Sequence, residues 1–285
     1  MKIMKKMTLI LTLIMLLNIG ISFGDAAEVV SIANDIDMTQ RQEMLEIFGV
    51  DESEVRMITV TNQEERKYLE GIAPEEQIGN TTISSAYVQF LDNASGIEVE
   101  THNIRWVTES MYESALVTAG VKDAKIIAAA PFPVSGTGAL TGIIKGFEAA
   151  TGETISDEQK RIANEEMVAT GELGDEIGKD EATNLIVSIK EELVGKNIKD
   201  REDIKQIIIN ISGDLNINLS TNQVEDLTNL MEKINGLNLD TEQIKNQLQG
   251  IGNKLNELVN ENEEVQGLLQ RILDAIKDFF NSIFG

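Results

Sequence analysis

The stretch that decides the fold is SMYESALVTAGVKDAKIIAAAPFPVSGTGALTG, residues 110–142. Its first part predicts a helix over residues 110–118 that stops at Gly120, because glycine readily takes the left-handed conformation that ends a helix. The apolar run at residues 124–132 predicts a buried strand, and residues 137–150 predict a further helix. This succession of helix, strand and helix indicates an α/β architecture.

The residues before this stretch continue the alternation. Runs rich in β-formers predict strands over residues 28–33, 55–61, 81–91 and 97–107, and helices are expected between the first three of them. Asp-Asn-Ala-Ser-Gly at residues 92–96 separates the last two strands and predicts a hairpin. We therefore expect residues 25–152 to form an α/β domain with a mixed sheet of about five strands and interleaved helices.

Residues 153–285 predict helices only and form a second, acidic, all-α domain. This region contains no proline, and the boundary is expected near Gly152. Residue pairs with the spacing of a capping box, or a close variant of it, open three of its helices: Ser156 with Gln159, Ser220 with Gln223 and Asp240 with Gln243.

The last helix carries the most regular apolar pattern of the chain. Hydrophobic residues recur in steps of four and three over residues 244–283, interrupted only by Asn262, as in a coiled-coil seam. We predict a long amphipathic helix over about residues 241–283, although a cap-like pair, Asn260 with Glu263, also fits a hairpin near residue 260. The stripe fits packing within the chain, self-association or an envelope partner. Membrane-surface contact is not favoured, because the stripe lacks a basic face.

The amino terminus has the pattern of a secretory signal peptide over residues 1–24. Lys2, Lys5 and Lys6 precede an uncharged run, and small residues follow around Gly24 and Ala26. We expect cleavage after Gly24 or Ala26 and a secreted or envelope-associated, extracytoplasmic chain. The alternative is an uncleaved anchor, although the apolar run falls short of the about 20 residues of a membrane span.

Composition excludes several classes of site and partner. The chain has no Cys and one His, which excludes disulfides, zinc–thiolate sites, Cys nucleophiles and multi-His metal sites. Its formal charge of −24 argues against a nucleic-acid partner. Acidic clusters such as residues 175–176 and 180–181 lack the spacing of a calcium loop, so neither a metal nor a cofactor is predicted.

Three stretches resemble the YpuA-like secreted proteins of bacteria. They are WVTESMYESALVTAGVKDA at residues 106–124, AAPFPVSGTGALTG at residues 129–142 and IGNTTISSAYV at residues 78–88, and the pair Thr61-Asn62 also fits. The resemblance covers about residues 29–178, and one departure is Gly138, where the family often has Ala. Because this family is a domain of unknown function, the resemblance implies export and an envelope role but no catalytic residue.

The best candidate binding site is the loop Ser135, Gly136, Thr137 and Gly138. It follows a predicted strand and opens a predicted helix, where free N–H groups favour an anion. A capped turn of small residues that packs a helix closely on a sheet explains the same pattern, and the dinucleotide signal is incomplete.

His102, the single imidazole, could serve as a general base for a nearby serine. No G-x-S-x-G or S-x-x-K motif accompanies it, and a structural or surface role fits equally.

We therefore expect an exported cell-envelope protein with a non-catalytic binding or scaffolding role. The alternative is a secreted enzyme, or a protein that binds small anions or peptides, with its site at Ser135–Gly138 and His102. An open pocket at this loop would favour the alternative, whereas a packed loop would favour scaffolding.

Export is tested by the intact mass of the protein recovered outside the cytoplasm. We expect the mass of a chain that lacks residues 1–24 or 1–26, because signal peptidase cleaves after small residues. Recovery of all 285 residues in the membrane fraction would instead show an anchor.

Overall fold

The computed structural model describes residues 28–91, 95–196, 198–237 and 239–260. The predicted signal peptide, Asn262 and everything after the hairpin expected near residue 260 lie outside these residues. Within the described part of the chain, no helix is long and apolar enough to cross a membrane.

A five-stranded mixed sheet forms the centre of the first half. Its strands are β1 Glu28–Ala33, β2 Arg56–Val60, β3 Ser85–Phe90, β4 Ile97–Ile104 and β5 Ala124–Val134. They lie in the order β2-β1-β3-β5-β4. The pairs β1–β2 and β4–β5 are parallel, and β3 is antiparallel to both of its neighbours. The predicted mixed sheet of about five strands is thus confirmed.

Helices pack on both faces of the sheet and make up the described second half. The first half contains α1 Met38–Phe48, α2 Asn62–Leu69, α3 Glu75–Ile78, α4 Glu109–Ala119 and α5 Ala139–Thr151. The second half contains α6 Asp157–Ile177, α7 Lys179–Lys196, α8 Arg201–Asp214, α9 Thr221–Gly236 and α10 Thr241–Asn260. The predicted capping boxes at Ser156 and Ser220 are both formed.

The predicted hairpin between β3 and β4 is wrong. β5 lies between these strands, and its Ile126 pairs with Val88 of β3 on one side and with Val99 of β4 on the other. β4, α4 and β5 form a β-α-β unit, in which the helix returns the chain so that the two strands run parallel. A turn-like sequence does not show whether the two strands that it joins are neighbours in the sheet or are separated by a strand that comes later in the chain.

α4 is the central helix of the molecule, and nine of its 11 residues are buried. Ala115 and Leu116 share one hydrophobic cluster with Ile126 of the sheet, Met167 of α6 and Leu248 of α10. This cluster therefore contains side chains from both sides of the boundary predicted near Gly152, and the division into two domains stays a prediction. A second cluster joins α6, α7, α8 and α9.

The first part of the predicted coiled-coil seam is used within the chain. Ile244, Leu248, Ile251 and Leu255 are buried in the cluster around α4, and α10 packs on α4 and α7. These contacts agree with intrachain packing for this part of the stripe. The side chains that continue the seam after Leu255 lie outside the described part of the chain. Association through residues 244–283 and a coiled coil therefore stay predictions.

The side of α4 that faces away from the sheet carries polar groups, and a buried ion pair satisfies them. Ser114 Oγ donates to Glu166 Oε1 of α6 at 2.6 Å, and the Thr118 hydroxyl donates to Glu166 Oε2. Lys190 Nζ of α7 donates to Glu166 Oε1 and to the Ser114 carbonyl, both at 2.8 Å. Glu166 is 0% exposed and Lys190 is 2% exposed. Removal of either charge would therefore leave the other charge unpaired in the interior.

Lys190→Met alone should lower the free energy of unfolding by about 3–5 kcal/mol, because it leaves a buried carboxylate unpaired. Glu166→Gln combined with Lys190→Met should cost clearly less. Urea unfolding measures both, and Lys233→Met in the exposed pair with Glu165 is the control, with an expected cost below about 1 kcal/mol. Equal losses for the single and double variants would contradict the assigned role of the pair.

Candidate functional site

Strands β1, β2, β4 and β5 all run in one direction, so their carboxyl ends lie at the same edge of the sheet. This carboxyl edge is where ligands usually bind in open α/β sheets. Thr61-Asn62 follows β2, the loop Ser135–Gly138 follows β5, and residues 79–84 lead into β3 at this edge. Residues 106–124 reach the same loop, since the Trp106 N–H donates to the Ser135 carbonyl. All four sequence features that carry the family resemblance thus meet at this edge.

The loop Ser135–Gly138 is held by contacts with its own protein. The Gly136 carbonyl accepts a hydrogen bond from the buried Tyr112 hydroxyl at 2.5 Å. Gly136 has φ = 96°, and a Cβ there would collide with Ile104 and Tyr112. The Thr137 hydroxyl, which is buried, donates to the Gln77 carbonyl at 3.0 Å. Gly136 therefore has both a conformational and a steric requirement for glycine.

A carboxyl group of the protein occupies the space beside Gly138. Glu65 of α2 is 3% exposed, and a Cβ on Gly138 would lie 2.7 Å from Glu65 Cδ. Gly138 precedes the first turn of α5, whose amino end has no side-chain cap. An external anion at this point would have to displace Glu65, and the predicted anion site at Ser135–Gly138 remains a prediction.

Glu65 has hydrogen bonds but no salt bridge among the described residues. Thr82 Oγ1 donates to Glu65 Oε2 at 3.1 Å, and Asn62 Nδ2 lies 3.4 Å from the same oxygen. Burial raises the pKa of Glu65 to about 7; the carboxylates of Asp35 and Glu64 add to the rise, and the two hydrogen bonds oppose it. Glu65 is therefore a buried acid that takes up a proton near neutral pH.

Sequence reasoning missed Glu65. It lies next to Glu64, an acid that pairs with Lys145 at 2.5 Å, and no local pattern distinguishes the two carboxylates. Only the packing of α2 beside α5 separates them, since that packing buries one and leaves the other near a lysine.

Close packing explains the glycines of α5. A Cβ on Gly142 would lie 3.1 Å from Ser31 Oγ of β1, and a Cβ on Gly146 would lie 2.9 Å from Val88 of β3. Together with Gly138 these residues recur every fourth position, so they form one face of the helix. This geometry supports the interpretation of the loop and helix as a tight helix–sheet contact.

His102 lies on the exposed part of β4. Val99 of this strand contributes to the cluster around α4, and alternation along the strand places His102 on the opposite face, with Glu98 and Glu100. Gly136 contacts Ile104 and Tyr112, so the described contacts do not join the imidazole to the loop. Trp106, beyond the strand, packs on Gly171 and donates to Asp175 at 2.9 Å.

An open concavity of about 330 Å³ lies along the outer strand β4, between α4 and α10. We call it the edge groove. Its lining combines apolar, hydroxyl and charged side chains: Val99, Ile104, Val107, Ile251 and Leu255; Thr101, Thr108 and Ser110; and Arg105, Glu109, Glu113, Asp180 and Lys254. Glu113 and Lys254 form an ion pair at 2.7 Å. The sequence signal for it was only the apolar stripe of α10, which could not show what the stripe faces.

The described residues contain no group of three or more acidic or histidine side chains that could hold a metal ion. The carboxyl edge therefore offers one buried acid with hydroxyl groups nearby. The edge groove offers apolar side chains and paired charges.

Glu65→Gln should change how stability depends on pH. Because the folded-state pKa is raised from 4.5 to about 7, the contribution of Glu65 is complete below about pH 4.5 and is lost as the pH rises to 7. Relative to wild type, the variant should gain up to about 3 kcal/mol between pH 4.5 and pH 8. Denaturant unfolding at both pH values measures this, with Glu43→Gln on the surface of α1 as control. A constant difference would contradict the burial argument.

Comparisons with known proteins identify the family of the chain. A family model described as "Protein of unknown function (DUF1002)" matches residues 33–251, well beyond the predicted residues 29–178. The chain is 38% identical over 267 residues to the "Uncharacterized protein YpuA" of Bacillus subtilis (strain 168), which covers 92% of this chain and 91% of the relative. No solved structure matches the chain. The chain therefore belongs to the DUF1002 family of YpuA-like proteins, whose function is unknown.

Proposed function

We propose that the mature chain is an exported protein of the cell envelope with a non-catalytic binding role, and that the edge groove is its binding surface. The observation that carries this proposal is the contrast between two places. The loop expected to hold a reactive site is filled by the protein's own side chains, whereas the groove beside β4 is open and has an apolar floor. Binding sites are typically concave, mainly apolar and edged by a few polar groups.

The contacts around the loop support a role without catalysis. A nucleophilic hydroxyl needs a base within hydrogen-bond reach, but the Thr137 hydroxyl donates to a backbone carbonyl, and Ser135 Oγ lies 3.4 Å from the same Gln77 oxygen. His102 is exposed on the other face of the sheet. In the alternative, an anion bound beside Gly138 would require Glu65 to leave its buried position.

The amino-terminal pattern supports export, since a basic start, a short apolar run and small residues mark a secretory signal. The apolar repeat that continues from α10 to residue 283 supports a contact role, because such stripes pair with other helices. We propose that this part of the chain adds a second contact with an envelope partner or with another copy.

The groove is tested by crosslinking in the producing cells. A photoreactive amino acid at Arg105, on the groove rim, should give crosslinked adducts in the envelope fraction. The same amino acid at Glu98, which lies on β4 with its side chain on the opposite face of the sheet, should give few. Adducts of equal yield from both positions, or none from Arg105, would contradict the groove as the binding surface.

A further inference from the structure

The outward edge of β4 carries a short row of backbone groups. Ala124 N–H of β5 donates to the Gly96 carbonyl, so the backbone groups of the even-numbered residues of β4 face β5. Those of Ile97, Val99 and Thr101 face outward. Such an edge is a template for pairing with another strand.

Two carboxylates of α4 lie where the carbonyl groups of a neighbouring strand would lie. The Val99 N–H donates to Glu113 Oε1 at 3.3 Å, and the Thr101 N–H donates to Glu109 Oε1 at 3.0 Å. On the acceptor side, Lys254 Nζ lies 3.5 Å from the Ile97 carbonyl. Residues i and i+2 of an edge strand are those that form hydrogen bonds with an added strand. Here side chains form these hydrogen bonds in place of a neighbouring strand.

The cap at Thr101 is replaceable. Glu109 is exposed and has no salt bridge among the described residues, so its carboxylate can turn to water at little cost. An added strand would also have to displace Glu113 from the Val99 N–H, a long bond at 3.3 Å. Glu113 is buried and would keep Lys254, 2.7 Å away, as its partner.

The edge groove leaves open space beside β4. α10 packs on α4 and α7, and the space of about 330 Å³ lies between α10 and β4. A paired strand would run about 4.8 Å from β4. Alternate side chains of that strand would face the apolar floor at Val99, Ile251 and Leu255, and the others would face the rim.

The charges of the groove define the partner. Three acids, Glu109, Glu113 and Asp180, and two bases, Arg105 and Lys254, line it, on a chain of formal charge −24. We propose that the edge groove takes an extended polypeptide segment, alternately apolar and basic, that adds to β4 as a sixth strand. This inference rests on the proposed binding function of the groove and names its partner class.

The probe is an acetylated, amidated hexapeptide that alternates lysine and valine, added to the full mature chain. Fluorescence anisotropy of a dye-labelled copy of this peptide reports binding, because the Trp106 indole packs on Gly171 and does not line the groove. We expect a saturable change, together with shifts of the Val99 and Thr101 amide resonances. A peptide with proline in place of the central valine should bind much less, because proline lacks the N–H donor.

Charge reversal provides the matched pair of variants. Glu109→Lys should weaken binding of the lysine–valine peptide by about tenfold or more, since it removes an acid from the groove and adds repulsion. Glu98→Lys makes the same change on the other face of β4 and should leave the dissociation constant within about twofold. Both side chains are exposed, so neither variant should disturb folding.

Three results would overturn the inference. Equal binding of the proline peptide would show charge attraction without strand pairing, and equal weakening by Glu98→Lys would show a long-range field only. Absence of binding by the lysine–valine peptide would mean that Glu109 and Glu113 only protect the edge. Crosslinks from Arg105 without peptide binding would leave the proposed function in place and reject this partner class, whereas loss of both would reject the two together.

Discussion

The buried ion pair between Glu166 and Lys190 fixes the register in which α6 and α7 pack on α4. α4 packs its apolar side on the sheet and presents Ser114 and Thr118 to the second half. Buried hydroxyls need partners, and a carboxylate that accepts from both hydroxyls needs a cation in turn. Lys190 supplies that cation and also binds the Ser114 carbonyl, so α4, α6 and α7 are held in one register.

The same helix determines what is open at the surface. The inward face of α4 is used for packing, and Glu109 and Glu113 at its amino-terminal half reach the edge of β4. α10 then packs on α4 through Leu248 and its neighbours and closes the far side of the groove. The edge groove is thus a consequence of how α4 is buried: the helix satisfies the outermost strand with side chains and not with another strand.

The carboxyl edge illustrates the opposite outcome. Topology places the loop Ser135–Gly138 where α/β proteins usually bind ligands, but Gly138, Gly142 and Gly146 let α5 approach β1, β3 and α2 closely. The space that glycine leaves is used for contact, and Glu65 fills part of it. A glycine-rich loop after a strand therefore has two physical uses, close approach of a ligand or close approach of the protein itself, and only the neighbours decide which applies.

The sequence by itself determined the class and position of most elements, because strand alternation, helix periodicity and the caps at Ser156 and Ser220 are local properties. It also carried the family resemblance. It could not determine the order of the strands. The turn-like sequence at residues 92–96 fits a hairpin of β3 and β4, and it also fits the observed sheet, in which β5 lies between them. Nor could it separate Glu65 from Glu64, or show that Leu248 packs on α4. Those outcomes depend on burial and on partners distant in sequence, which only the tertiary structure decided.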